Sequence, residues 1–99
     1  MARTIEEIES EIEVREPPLY RVILHNDDYT TMEFVVEVLM TIFHKNRDEA
    51  EEIMWAVHEQ GKAICGIYTF EIAQTKAEQV RILARRNAFP LLATIEADD

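Results

Sequence analysis

An amide and two carboxylates, Asn26-Asp27-Asp28, stand together where a hydrophobic run stops and a helix is expected to begin. Side chains of these types could shape a turn by bonding their own backbone, carry out acid–base chemistry, or bind a cation. A turn is the most common use of such a cluster. A calcium-binding loop is disfavoured, because the alternating acidic pattern and distal glutamate of that loop are missing.

The other side chains that could do chemistry are scattered. The histidines are His25, His44 and His58, no H-E-x-x-H pattern occurs, and Cys65 is the single cysteine. This spacing indicates no metal site, and Cys65 lies in an apolar segment typical of a buried, inert thiol. No phosphate-binding loop and no convincing nucleophile completes a catalytic site around the cluster.

Length and charge narrow the classes of protein. The 99 residues fit one domain, and 20 acidic residues against 10 basic ones give a net charge of −10. Nucleic-acid binding is disfavoured, because it depends on Lys and Arg neutralising phosphates. No apolar run reaches the ~18 residues of a membrane span, and the first residues lack the apolar core of a signal peptide. We therefore expect a cytoplasmic protein.

The first part of the chain differs in composition from the rest. Residues 1–18 are rich in glutamate and end in Pro17-Pro18. So few apolar residues cannot offset the entropy of ordering this segment, which predicts a flexible acidic extension. The folded domain is expected over residues 19–97.

Periodicity and capping residues predict three helices and three strands. Thr30 and Asn46 are each followed at the third position by glutamate, the capping-box pattern of a helix start. Gly61 is typical of a helix end. The predicted elements are a strand over 19–25, a helix from Thr30 to about Lys45, a helix from Asn46 to Gly61, a strand over 62–70, a helix over 71–88 and a strand over 91–96. This β-α-α-β-α-β order predicts an α+β fold, a two-layer sandwich with three helices on one face of a three-stranded antiparallel sheet.

Two of these helices could extend the polar cluster into a binding site. Met32 opens the first, and Met54 and Val57 lie on the second, next to His58. If the helices pack side by side, the apolar side chains line a pocket, with His58, the amide and the last carboxylate of the cluster at its mouth. Such a site suits a ligand with a cationic head and an apolar body. The same spacing also fits methionines that only fill the core.

Four motifs, NDDYT-x-MEFV, AVH, G-x-x-x-C-G and A-x-T-K, occur in an order and spacing that resemble the bacterial ClpS adaptor family. The similarity runs from about Leu19 to Glu96. It implies an α/β sandwich fold. It also implies that the protein is a monomeric adaptor with no enzymatic activity and no cofactor. Such adaptors bind proteins that begin with Leu, Phe, Tyr or Trp and deliver them to the ClpA unfoldase of the ClpAP protease.

The resemblance implies roles for individual residues. Asn26, Asp28 and His58 would bind the α-amino group of the substrate, and Asp27 would shape the turn beside them. Met32 would act as a gate against β-branched side chains. The residues implied to form the side-chain pocket are Thr30, Met32, Val35, Met54, Val57 and Leu91.

Other positions are implied to serve delivery, or depart from the family pattern. Glu71 and Lys76 match positions that contact the N-terminal domain of the unfoldase, and the acidic extension matches the segment used in delivery. The family usually has proline where Thr31 stands, and Trp55 is also unusual. Two hypotheses from other classes stay open: an interaction module similar to the ribosomal stalk C-terminal domain, and a metal-dependent hydrolase using Asp27, Asp28 and His58.

Overall fold

The computed structural model describes residues 4–5 and 16–99, so most of the predicted extension over residues 1–18 lies outside the described residues. The described chain forms three strands and three helices in the predicted order. They are β1 Leu19–His25, α1 Met32–Thr41, α2 Arg47–Gln60, β2 Lys62–Thr69, α3 Phe70–Arg86 and β3 Leu92–Ala97. None of these helices is long and apolar enough to cross a bilayer.

The strand β1 lies at the centre of an antiparallel sheet with the order β2-β1-β3. Successive side chains of a strand point to opposite faces. Val22 and Leu24 are fully buried in the core beneath the helices, whereas Ile23 lies outside that core cluster. The structure therefore confirms the predicted α+β fold, with three helices and a three-stranded antiparallel sheet.

The helix α3 packs against all three strands, whereas α1 packs against α2. Small side chains let α3 approach the sheet closely, since Ala73, Val80 and Ala84 are all buried along one face. On α1, Val38 and Leu39 are fully buried. Burial of this continuous apolar interior is the main source of stability in a domain of this size.

The start of α1 differs from the prediction. Thr31, not Thr30, is the N-cap, and its Oγ1 accepts a hydrogen bond from the Phe34 backbone N–H at 3.1 Å. The Thr30 hydroxyl donates instead to Asp27 at 2.7 Å. Both threonines carry the same capping group, and the competing carboxylate of Asp27 decides which of them is free to cap the helix.

The end of α1 also differs, because the helix stops at Thr41 rather than near Lys45. Ile42 and Phe43 continue the apolar pattern, but they are buried within the turn that follows the helix. His44 adopts a left-handed backbone with φ 55°, which redirects the chain. A buried turn and a buried helical turn both require apolar residues, so periodicity alone cannot distinguish them.

The boundaries of α2 are confirmed. Asn46 and Glu49 form the reciprocal capping box, with the Glu49 backbone N–H donating to Asn46 Oδ1 at 2.8 Å. Gly61 ends the helix in a left-handed conformation with φ 89°, which glycine adopts without steric cost. Beyond α2, the ends of the predicted elements lie within one or two residues of the observed ones.

Candidate functional site

Asp27 determines the shape of the loop between β1 and α1. Its Oδ1 accepts hydrogen bonds from the backbone N–H groups of Tyr29 at 2.8 Å and Thr30 at 2.7 Å, and its Oδ2 accepts from the Thr30 hydroxyl. Partial burial opposes ionisation of Asp27, but these three hydrogen bonds outweigh it and lower the pKa of the carboxyl. Asp27 is therefore committed to the loop, as the turn interpretation of the cluster predicts.

The same loop is fixed to the end of α2. The Asn26 backbone N–H donates to the Gly61 carbonyl at 2.8 Å, and the Gly61 N–H donates to the Val57 carbonyl at 3.0 Å. His58 lies in the last turn of α2. Two hydrogen bonds thus connect the polar cluster, which follows β1, to the helix turn that carries His58.

A cavity of about 380 Å³ opens between this loop, α1 and α2. Its apolar part is made by Val35, Met54 and Val57, all buried, while Met32 is 38 % exposed. The remaining lining residues are polar: Asn26, Asp27, Asp28, Thr30, Thr31 and His58. The volume is at the lower end of the ~300–1,000 Å³ typical of small-ligand sites. One amino-acid side chain with its amino group is a ligand of suitable size.

The charge of the cavity favours a cation. Within the described chain its lining contains two carboxylates and neither lysine nor arginine. Asn26, Asp28 and His58 are exposed, and an amide oxygen, a carboxylate and a neutral imidazole nitrogen can each accept a hydrogen bond. The C-terminal end of α2, beside Val57 and His58, adds partial negative charge from the helix dipole.

The structure brings together most of the residues singled out in the sequence. Every predicted substrate-binding residue except Leu91 lines this one cavity. Leu91 is buried and lines a different cavity of about 350 Å³ beside α3 and β3. Thr31 also lines the site and was missed as a site residue. Its position directly before Met32 was the available signal.

The two predicted partner-binding residues have different surroundings. Glu71 is exposed in the first turn of α3. Lys76 is half-buried, and its Nζ donates to the Ile42 carbonyl at 2.7 Å and lies 5.2 Å from the centre of the Tyr68 ring. Lys76 therefore stabilises the packing inside the domain.

Gly66 makes room for the Tyr68 ring, because a Cβ at this position would lie 2.3 Å from the Tyr68 hydroxyl.

The hydrolase hypothesis requires Asp27, Asp28 and His58 to hold a metal ion together. Among the described residues, no group of three His, Cys, Asp or Glu side chains is arranged to hold a metal ion. The carboxylate of Asp27 is occupied by its loop. Burial raises the pKa of the Cys65 thiol to about 12, which suppresses the reactive thiolate.

Comparison with protein families and known sequences gives consistent matches. Residues 15–94 match the family described as "ATP-dependent Clp protease adaptor protein ClpS". Three relatives carry the name ATP-dependent Clp protease adapter protein ClpS. The protein of Syntrophus aciditrophicus is 55% identical over 89 residues, 90% of this chain and 83% of the relative. That of Nitratidesulfovibrio vulgaris is 57% identical, over 87% and 86% of the two chains. That of Shewanella halifaxensis is 52% identical, over 97% and 98%.

A solved structure is also similar. The structure of Agrobacterium tumefaciens ClpS2 bound to L-phenylalaninamide matches with a TM-score of 0.81 and 38% sequence identity. The match covers 84% of this chain and 100% of that one. L-phenylalaninamide has a free α-amino group, an aromatic side chain and an amide in place of the carboxylate, so it has the chemistry of a peptide N-terminus.

Proposed function

Because this chain belongs to the ClpS family of adaptor proteins of the ATP-dependent Clp protease, we propose that it binds proteins through their N-terminal residue. The chain is thus an adaptor and not an enzyme, as its relatives are named. The proposed ligands are N-degrons, proteins that begin with Leu, Phe, Tyr or Trp. The observation that carries the proposal is a cavity with an apolar part and a polar rim, which contains neither lysine nor arginine among the described residues.

The polar rim would bind the α-ammonium group. That group is a cation with three N–H donors, and Asn26, Asp28 and His58 supply an amide oxygen, a carboxylate and an imidazole nitrogen. An acetylated or internal residue lacks the charge and would leave these acceptors unpaired. The chemistry therefore selects a chain terminus over the far more numerous internal residues.

The apolar part of the cavity would select the side chain. Val35, Met54 and Val57 are buried and offer no hydrogen-bonding group. A large apolar side chain gains free energy on leaving water for such a surface, at ~25 cal/mol per Å². Small or charged first residues gain little or nothing, so binding is confined to large apolar and aromatic ones.

Calorimetry with peptides that differ only in their first residue tests this proposal. Peptides beginning with Leu, Phe, Tyr or Trp should bind, and those beginning with Ser or Asp should not. Asp28→Asn keeps the shape of the side chain but removes its charge. It should lower the affinity for the Phe peptide by roughly tenfold or more, since hydrogen bonds to charged groups contribute about 1.5–3 kcal/mol. Equal heats for all first residues, or unchanged binding by the Asp28 variant, would contradict the proposal.

Delivery is the second half of the proposed function. We infer that the bound protein is passed, in the cytoplasm, to the ClpA unfoldase of ClpAP by a monomeric adaptor. Glu71, exposed at the start of α3, is the more accessible of the two proposed contact residues. Lys76 would contribute mainly through its aliphatic surface and the shape of α3, because its ammonium group already bonds Ile42.

A further inference from the structure

A second cavity lies beside the first and shares a wall with it. Its volume is about 530 Å³, and Met32 and Met54 line both cavities. Val36 and Trp55 complete its apolar lining. A bound chain that extends out of the first cavity on this side would therefore lie beside an additional apolar surface.

Trp55 lines the second cavity and contacts His58, which lines the first. Its side chain is 47 % exposed, and its ring lies 5.9 Å from that of His58 in an edge-to-face arrangement with an interplanar angle of 76°. An indole is a large, rigid apolar surface that loses little entropy when a ligand covers it. Covering it on binding would recover the free energy that its exposure to water costs.

The charged groups of this cavity are already compensated. Arg47 Nη1 lies 3.3 Å from Glu51 Oε1 and forms an ion pair within α2. Glu33 is exposed in the first turn of α1, where the helix N-terminus stabilises a negative charge. None of the described residues that line this cavity is therefore a buried, unpaired charge that an incoming ion would neutralise, and an apolar group is the better occupant.

We propose that this second cavity binds the side chain of the third residue of the bound peptide and prefers a large apolar one such as leucine. The inference rests on the proposed function, since the first residue must occupy the first cavity. In an extended peptide, alternate side chains point to the same side and lie about 7 Å apart. The third side chain thus faces the same surface as the first, and the second faces away.

Three peptides labelled at the C-terminus test the subsite by fluorescence anisotropy: Phe-Ala-Leu, Phe-Leu-Ala and Phe-Ala-Ala, each followed by the same residues. The protein should bind the Phe-Ala-Leu peptide about fivefold more tightly than the Phe-Ala-Ala peptide, the gain from partly burying a leucine. Phe-Leu-Ala should show no gain. The ratio of the affinity for Phe-Ala-Leu to that for Phe-Ala-Ala should fall to about one in Trp55→Ala. It should persist in Ile82→Ala, a control at another exposed apolar residue, on α3.

The ratio within each variant cancels any effect that loss of the Trp55–His58 contact has on the first site. Equal affinity of the parent protein for all three peptides would overturn the subsite while leaving the proposed function intact. A gain at the second position, or a gain that survives Trp55→Ala, would overturn it as well. If none of the three peptides bound at all, the proposed function itself would fail.

Discussion

Asp27 and Asp28 are neighbours in sequence with the same functional group, yet the structure gives them different tasks. The carboxylate of Asp27 accepts three hydrogen bonds from the loop that follows it. Asp28 is exposed on the rim of the cavity, with no hydrogen bond or ion pair to any residue in the described ranges 4–5 and 16–99. One aspartate therefore builds the site, and the other is available for a ligand. Composition alone could not make this distinction.

A substitution of Met32 tests how the cavity selects the first side chain of a peptide. Met32 is 38 % exposed in the cavity lining, and we propose that a branch near the ligand backbone meets its side chain there. Met32→Ala should open this space and increase the affinity for peptides beginning with Ile or Val by about tenfold. Met40→Ala, a methionine elsewhere on α1, is the matched control. Anisotropy titrations that show the same discrimination in both variants would exclude Met32 as the gate.

At the scale of the loop, the lowered pKa of Asp27 predicts a pH-dependent stability. The ionised carboxylate is the form that the hydrogen bonds favour. Its contribution to stability is therefore complete above the ordinary pKa of 3.8 and is lost as the pH falls through the lower pKa of the folded state. Asp27→Asn should cost about 0.5–1 kcal/mol of unfolding free energy at neutral pH, and this difference should shrink below pH 3.8.

Urea unfolding at several pH values would measure the effect, with Asp99→Asn as an exposed control. A difference between the parent and Asp27→Asn that stays constant down to the lowest pH would show that the ionised form is not what holds the loop.

Lys76 connects α3 to the end of α1, and its loss should lower the stability of the domain. The last turn of α1 has no basic residue of its own, and Lys76 reaches across from α3 to bond the Ile42 carbonyl. Lys76→Met keeps the apolar stem but removes the donor and the charge, and should destabilise the domain by about 1–2 kcal/mol. Lys62→Met, at an exposed lysine, should have little effect on the thermal midpoint. Equal midpoints for the two variants would refute this role of Lys76.

Helix ends that are set by local capping residues could be predicted from the sequence. Helix ends that depend on which of two residues forms a hydrogen bond could not. Asn46, Glu49 and Gly61 each carry a local capping function, so the limits of α2 follow from the sequence. The start of α1 depends on which threonine Asp27 engages, which is a matter of three-dimensional geometry. The resemblance named nearly all the cavity residues, but the placement of Leu91 beside α3 depends on packing that no spacing rule describes.

For the molecule as a whole, binding and delivery should be separable. The described residues that line the cavity lie between Asn26 and His58, whereas we propose that the acidic N-terminal extension serves delivery. Deleting residues 1–16 should leave the affinity for a Phe-starting peptide nearly unchanged but slow degradation of an N-degron substrate by ClpAP. A peptide titration and a degradation assay on the same preparation would measure both. Equal degradation rates with and without the segment would show that delivery does not need it.

We propose that the protein recognises a free, charged chain terminus together with an apolar first side chain. Fluorescence anisotropy titrations of one Phe-starting peptide and its N-acetylated counterpart, both labelled at the C-terminus, test this recognition. Acetylation removes the positive charge and leaves the side chain intact. The free peptide should bind, and the acetylated one should be weaker by about 100-fold or more, because several charge-assisted hydrogen bonds are lost. Equal affinity for the two peptides would show that the protein does not recognise the charged terminus.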